Sequence, residues 1–152
     1  MTPSAPIALG CDHAGFELKE ILKSFLTGNG FELEDCGTDG TDSVDYTEFG
    51  ARVARKVASG QYQRAVLICG TGLGMSMIAN RFTGVRAALC NDLFSAIMCR
   101  RHNDANLLVL GGRVVGRDLA LEILRAWLDT PFDGGRHKER IANIDIQAKE
   151  GA

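Results

Sequence analysis

Apolar positions along the chain follow two rhythms. Short, nearly unbroken apolar runs alternate with longer stretches in which apolar residues recur every three or four positions. The first rhythm marks a strand buried in a parallel sheet, the second a helix packed by one face. Pro6 to Gly10 is such a run. Leu18, Ile21, Leu22, Phe25 and Leu26 then line one helical face, with Lys19, Glu20 and Lys23 on the other and Asn29-Gly30 ending the helix. Phe31 to Asp35 alternates with period two, which predicts a half-buried strand near a sheet edge. After the polar loop Gly37 to Ser43, Asp45 precedes Glu48 at the spacing of a capping box. It opens a helix with the stripe Tyr46, Phe49, Gly50, Val53, Ala54 and Val57, stopped by Ser59-Gly60.

Ala65 to Cys69 is a third strand, followed by a helix from Met75 to about Arg81. Val85 to Cys90 is a fourth. Asn91-Asp92 begins a helix carrying Phe94, Ile97 and Met98 and ending in Arg100 to Asp104. Asn106 to Leu110 is a fifth strand, ending at Gly111-Gly112-Arg113. Asp118 to Asp129 is helical through Leu119, Ile123, Leu124 and Trp127, Pro131 closes it, and a last helix starts near Arg136. Five β-α units without a linker predict one domain over residues 1–152. Its architecture is a Rossmann-like three-layer α/β/α sandwich with a five-stranded parallel sheet and a C-terminal helix. Ligands in such sheets bind at the carboxyl ends of strands, where the strand order reverses. An order with the first strand beside the third brings the Asp12-His13 loop next to the loop after Cys69.

Composition narrows the function classes. The 152 residues are 45% hydrophobic, enough for one good core, and the net charge of −2 gives no electrostatic case for nucleic acid or a membrane surface. No apolar run approaches the length of a membrane span, and Met1 to Pro6 lacks the basic-then-apolar pattern of a signal sequence. The five cysteines are odd in number, with no Cys-x-x-Cys and no paired Cys/His spacing for zinc. They are expected as reduced thiols in a cytoplasmic protein, all but Cys69 serving as small core hydrophobes.

Cys69 stands apart because it ends a strand and opens a loop with glycine at 70, 72 and 74. A glycine-rich strand-to-helix turn presents N–H groups that suit an anion or a developing oxyanion, and the same field favours a thiolate. The spacing lacks the G-x-G-x-x-G of a dinucleotide site, and the strand is the third rather than the first. Asp12-His13 reads either as a cap with a surface histidine or as an acid–base pair. His102 reads either as a helix-end residue or as a group tuned for proton transfer near neutral pH. Arg136 and Arg140 are one turn apart after Gly134-Gly135; with Arg113 at the end of the fifth strand they are candidate anion ligands.

Four motifs occur in order: Gly10-Cys-Asp-His-Ala-Gly15, Ile68-Cys-Gly-Thr-Gly-Leu-Gly74, His102-Asn-Asp-Ala-Asn106, and Gly134-Gly-Arg-His137 followed by Arg140-Ile141. Over essentially the whole chain they resemble the type B ribose-5-phosphate isomerases, a family that includes galactose-6-phosphate isomerase subunits. The resemblance implies aldose–ketose isomerisation of a sugar phosphate through a cis-enediolate, with no metal or organic cofactor. By it, Cys69 is the base that moves the proton between C1 and C2. The N–H groups of Gly70 to Gly74 and the Thr71 hydroxyl hold the enediolate, with Ser76 on the same loop touching substrate. His102, assisted by Asp12, opens the furanose ring. Tyr46 and Asn103 touch the sugar, and His13, Arg113, Arg136 and Arg140 grip the phosphate.

The resemblance further implies a homodimer or homotetramer with a shared site, the partner supplying the His102-Asn103 segment and Arg113, and the strand order 2-1-3-5-4. Met75 stands where some relatives carry a glutamate base, which puts this chain with those that use the cysteine. Ribose 5-phosphate is the expected substrate; allose 6-phosphate, galactose 6-phosphate and tetrose phosphates are alternatives. A non-catalytic sugar-phosphate sensor and a phosphocysteine carrier are the rivals from other classes, the second because Cys-Gly-x-Gly-x-Gly-x-Ser is similar to the loop of sugar phosphotransferase B components.

Overall fold

The computed structural model describes residues 5–150, so the expectation for the first four residues, that they begin no signal sequence, lies outside the described residues. In chain order the elements are β1 (Ile7–Cys11), α1 (Phe16–Gly28), β2 (Leu33–Asp35), α2 (Tyr46–Ala58), β3 (Arg64–Cys69) and α3 (Leu73–Ala79). They continue with β4 (Ala87–Leu89), α4 (Leu93–Asn103), β5 (Leu107–Gly111), α5 (Arg117–Asp129) and α6 (Arg136–Glu150). The strands pair in the order β2-β1-β3-β5-β4, all parallel, with β1 beside β3.

The alternation of side chains along the central strands makes the three layers. Val66 and Ile68 of β3, with Ile7, Leu9, Leu108 and Leu110, meet Leu18 and Leu22 of α1, Ala96 of α4 and Ile123, Leu124 and Trp127 of α5. Ala65, Leu67 and Cys69, with Ala8, Leu107 and Val109, face Val53, Ala54 and Val57 of α2 and Met75 and Ala79 of α3. Met75 is therefore core. Helix α6 lies outside these layers, against α4. No helix among the described residues is long and apolar enough to cross a membrane.

The edges and caps depart from the sequence expectation. β2 is the half-buried edge strand that its alternation predicts, but both it and the other edge strand, β4, are shorter than expected, because only three residues of each pair with a neighbour. α3 stops at Ala79 because the Asn80 side chain turns to β4, donating to the Ala87 carbonyl at 3.0 Å and accepting from its N–H at 2.9 Å. Asp45 does cap α2, but through Thr47, whose N–H donates to it at 2.8 Å, rather than through a box with Glu48.

Lys19 is the larger surprise. Its helical position reads as solvent-facing, yet its side chain is only 2% exposed. The chain after β2 folds over it, and its ammonium donates to Asp35 at 2.8 Å and to the Thr38 carbonyl at 3.0 Å while pairing with Glu20 at 2.9 Å. Lys23 meets the same Asp35 oxygen at 2.7 Å.

Burial works to raise Asp35, but Lys19, Lys23 and the Gly37 N–H outweigh it and leave the carboxyl below its ordinary value. A depressed carboxylate contributes stability above the unfolded pKa of about 4 that is lost as pH falls through the folded value. Asp35→Asn should therefore cost about 1–3 kcal/mol at pH 7, with the gap to wild type closing below about pH 4 in urea titrations. A gap that stays constant down to the acid limb would assign the cost to packing instead.

Candidate active site

The parallel register sets three loops side by side at the carboxyl edge. Cys11 lies opposite Ile68, and Cys69 opposite Gly111. Backbone bonds tie the loops together: Asp12 N–H to the Ile68 carbonyl at 3.2 Å, Gly112 N–H to that of Cys69 at 2.8 Å, and Arg113 N–H to that of Gly70 at 2.9 Å.

Cys69 is buried, on the α2/α3 side of the sheet, and its Sγ accepts the Gly72 N–H at 3.2 Å. Negative charge on sulfur strengthens such a contact. That N–H is thus turned to the thiol and away from a bound oxyanion, which narrows the expectation that every glycine N–H of the loop holds the enediolate. Thr71 is exposed, and its Oγ1 accepts the Leu73 N–H at 3.3 Å. The Ser76 hydroxyl donates to the Leu73 carbonyl at 2.8 Å, a bond within its own helix.

The three loop glycines have different reasons. Gly72 sits at φ +80°, and a Cβ there would fall 2.4 Å from Leu89 Cδ1. At Gly74 a Cβ would fall 2.6 Å from the Tyr46 ring, so glycine lets Tyr46, at the start of α2, lie over the loop. Gly70 alone has room, with its nearest neighbours Ala14 Cβ at 3.4 Å and the Arg113 side chain at 3.6 Å. Arg113 therefore lies over Gly70 of its own chain. The expectation that the partner supplies it is corrected by the short turn after β5, which folds back onto the Cys69 loop.

Asp12 is buried and caps the 3-10 turn His13–Gly15, accepting the Gly15 N–H at 3.0 Å. His13 Nδ1 accepts the Val44 N–H at 3.2 Å, which leaves Nε2 as the protonated nitrogen of the neutral ring. Asp12, His13, Tyr46, Cys69, Gly70, Thr71, Gly72, Gly74, Ser76 and Arg113 thus share one end of the sheet.

The remaining candidates stand at the other end. α4 runs back antiparallel to the strands, so His102 and Asn103 sit just before β5, whose first residue pairs with Ala65. From Ala65 to Cys69, β3 spans roughly 13 Å. Buried Arg100 holds this end of α4, donating to the Ala105 carbonyl at 2.7 Å and pairing with Asp104 at 2.8 Å. His102, Asn103, His137, Arg140, Ile141 and Ile144 line a cavity of about 370 Å³ between α4 and α6.

His137 stacks on His102 with centroids 4.4 Å apart and planes 12° from parallel. Sequence reasoning gave His137 no role. Its place in Arg-His-x-x-Arg was visible, but its contact with His102 depends on how α6 packs on α4. Among the described residues, His102, Asp133 and His137 are the one set spaced to hold a metal, their ligand atoms lying within 4.8 Å of one another. Arg101 already claims Asp133 at 3.0 Å, and Arg136 and Arg140 add positive charge beside His137, so the surroundings favour an anion over a cation.

A buried thiol on a glycine loop at the carboxyl edge of a doubly wound sheet, with histidine, aspartate and arginine on the adjoining loops, has the chemistry to hold a small anion. The ribose/galactose isomerase family matches residues 7–144. Ribose-5-phosphate isomerase B of Escherichia coli (strain K12) is 46% identical over 138 residues, 91% of this chain and 93% of that protein. The solved structure of Clostridium thermocellum ribose-5-phosphate isomerase B superposes with a TM-score of 0.94 at 49% identity, covering 97% of this chain and 99% of that one. The 4-deoxy-4-sulfo-D-erythrose isomerase of Clostridium sp. (strain MSTE9) is 43% identical over 127 residues, 83% of this chain and 80% of that protein. The chain belongs to the ribose/galactose isomerase family. It is an enzyme, a sugar-phosphate isomerase.

Gly72→Ala forces a left-handed φ and a clash, and should lower stability by about 2 kcal/mol or more, whereas Gly70→Ala should stay within about 1 kcal/mol of wild type. Matching urea midpoints for the two variants would contradict this account of the loop.

Proposed function

We propose that the chain, acting as one catalytic domain, interconverts ribose 5-phosphate and ribulose 5-phosphate through a cis-enediolate, with Cys69 as the base. The observation that carries this is the Gly72 N–H donated to Cys69 Sγ at 3.2 Å, in a loop packed against the Asp12-His13 turn and Arg113. Cys69 takes the C2 proton of the open-chain aldose and returns it at C1. As charge develops on O1 and O2, the N–H groups of Gly70, Thr71 and Gly74 and the Thr71 hydroxyl stabilise it. Tyr46 packs on the sugar, with Ser76 at the loop's edge. His13, Arg113, Arg136 and Arg140 hold the phosphate, and His102 opens the furanose ring with Asp12 across from it.

Those roles need His102, Asn103, Arg136 and Arg140 beside Cys69, yet within one chain they lie at the opposite end of the sheet. A second copy resolves this if its α4 and α6 ends meet the Cys69 edge. Exposed apolar residues support such a contact: Leu73 and Met77 on α3, Phe94 at the start of α4 and Val114 after β5. The proposed enzyme is a homo-oligomer whose sites are each built from two chains.

Substrate choice is tested with purified protein on ribose 5-phosphate, allose 6-phosphate, galactose 6-phosphate and erythrose 4-phosphate, with Cys69→Ala alongside. The expected result is turnover fastest on ribose 5-phosphate and reduced by roughly 10³-fold or more in the variant. Preference for another sugar would change the substrate and keep the base. Turnover that survives in Cys69→Ala would remove Cys69 from the role of base.

A further inference from the structure

Holding the phosphate and opening the ring give His137, at the α4/α6 end, no task. His137 lies flat on His102 with ring centroids 4.4 Å apart, and one nitrogen of each ring and one Asp133 oxygen lie within 4.8 Å of one another. Asp133 is fixed in place: Arg101 Nε donates to its two oxygens at 3.2 and 3.0 Å, and its own N–H donates to the Arg101 carbonyl at 3.0 Å. The charged groups facing His137 are His102 from α4, Arg136 and Arg140 from its own helix, and Asp133 from the preceding loop, with Arg101 behind Asp133.

Partial loss of solvent, and then the positive charge of His102, Arg136 and Arg140, hold the His137 imidazole below its ordinary pKa, with Asp133 opposing them. Two imidazoles in van der Waals contact resist carrying two protons, and the one carboxylate beside them favours carrying one. With one proton between them, one ring is an acid and the other a base.

That is what furanose opening requires. The C1–O4 bond breaks, the C1 hydroxyl gives its proton to a base as C1=O1 forms, and O4 takes a proton from an acid. The two oxygens sit on one carbon, so acid and base must be neighbours. The pair gives up one proton and receives one, and its proton count is unchanged after each opening.

We propose that His137 is the second proton-transfer group of ring opening, acting with the stacked His102 as an acid–base pair beside Asp133. This rests on the ring-opening role given to His102. His137→Phe keeps a flat ring against His102 but carries no proton, and His137→Asn removes both features. Two assays separate the steps: conversion of ribose 5-phosphate, and hydrogen exchange with D₂O at C1 of ribulose 5-phosphate. Ribulose 5-phosphate has no free C5 hydroxyl to close a furanose ring, so its exchange reports enediolate formation alone.

Both variants should lose roughly 10²-fold in kcat on ribose 5-phosphate with KM little changed, while C1 exchange proceeds at the wild-type rate. The pH profile of kcat, expected to be bell-shaped in the wild type, should be reduced to a single limb in both variants. Three results overturn the proposal: unchanged kcat, a raised KM with kcat intact (which would make His137 a phosphate ligand), or equal losses in conversion and exchange. His102→Asn in the same assays distinguishes the two claims. Full conversion by that variant would remove ring opening from His102 itself. A loss there, with none in His137→Phe, would overturn only the role of His137.

Discussion

The common level at which β1, β3 and β5 end is the constraint on which everything else depends. Because Cys11 pairs with Ile68 and Cys69 with Gly111, three loops leave the sheet at one edge and must share its space. They fit only because backbone meets backbone. A Cβ at Gly15 would lie 2.5 Å from the Ile68 carbonyl oxygen, one at Gly111 2.7 Å from that of Thr71, and one at Gly112 2.9 Å from that of Ala14. Such contacts cannot be relieved by moving a side chain, so the glycines hold the loops at a spacing that any larger residue would force open. The Cys69 environment is a product of strand register more than of any single side-chain contact.

Much of this was legible in the chain. The strands β1, β3 and β5 are continuous apolar runs because both faces of the sheet are covered, and a run of that kind ending in glycine points to the carboxyl edge. The helices α1, α2 and α5 were visible from their stripes. What could not be read were features that depend on a partner element. Lys19 looks solvent-facing until the chain after β2 closes over it, and α3 looks longer until Asn80 is seen reaching β4. Likewise, Gly72 and Gly74 look alike in sequence, but one answers a left-handed backbone and the other the ring of Tyr46.

The candidate site divides the same way. Residues carried on loops after strands could be placed from topology alone, since strand one beside strand three puts Asp12 next to Cys69. Arg113 required the turn after β5 to be seen folding back on Gly70. His137 required the packing of α6 against α4, because its motif gives the spacing along its own helix and nothing about the helix it meets. Membership of the ribose/galactose isomerase family accounts for the shared motifs, while the structure of one chain leaves its two groups of polar residues at opposite ends of the sheet.

That separation makes the shared site the central claim, and subunit complementation tests it most directly. Cys69→Ala and His102→Ala chains, each inactive alone on ribose 5-phosphate, would be unfolded together, refolded and assayed. A mixed dimer pairs the intact Cys69 of one chain with the intact His102 of the other, so random assembly should restore about a quarter of wild-type activity. Mixed oligomers that form and remain inactive would mean that both residues must come from the same chain, and the two-chain site would be wrong.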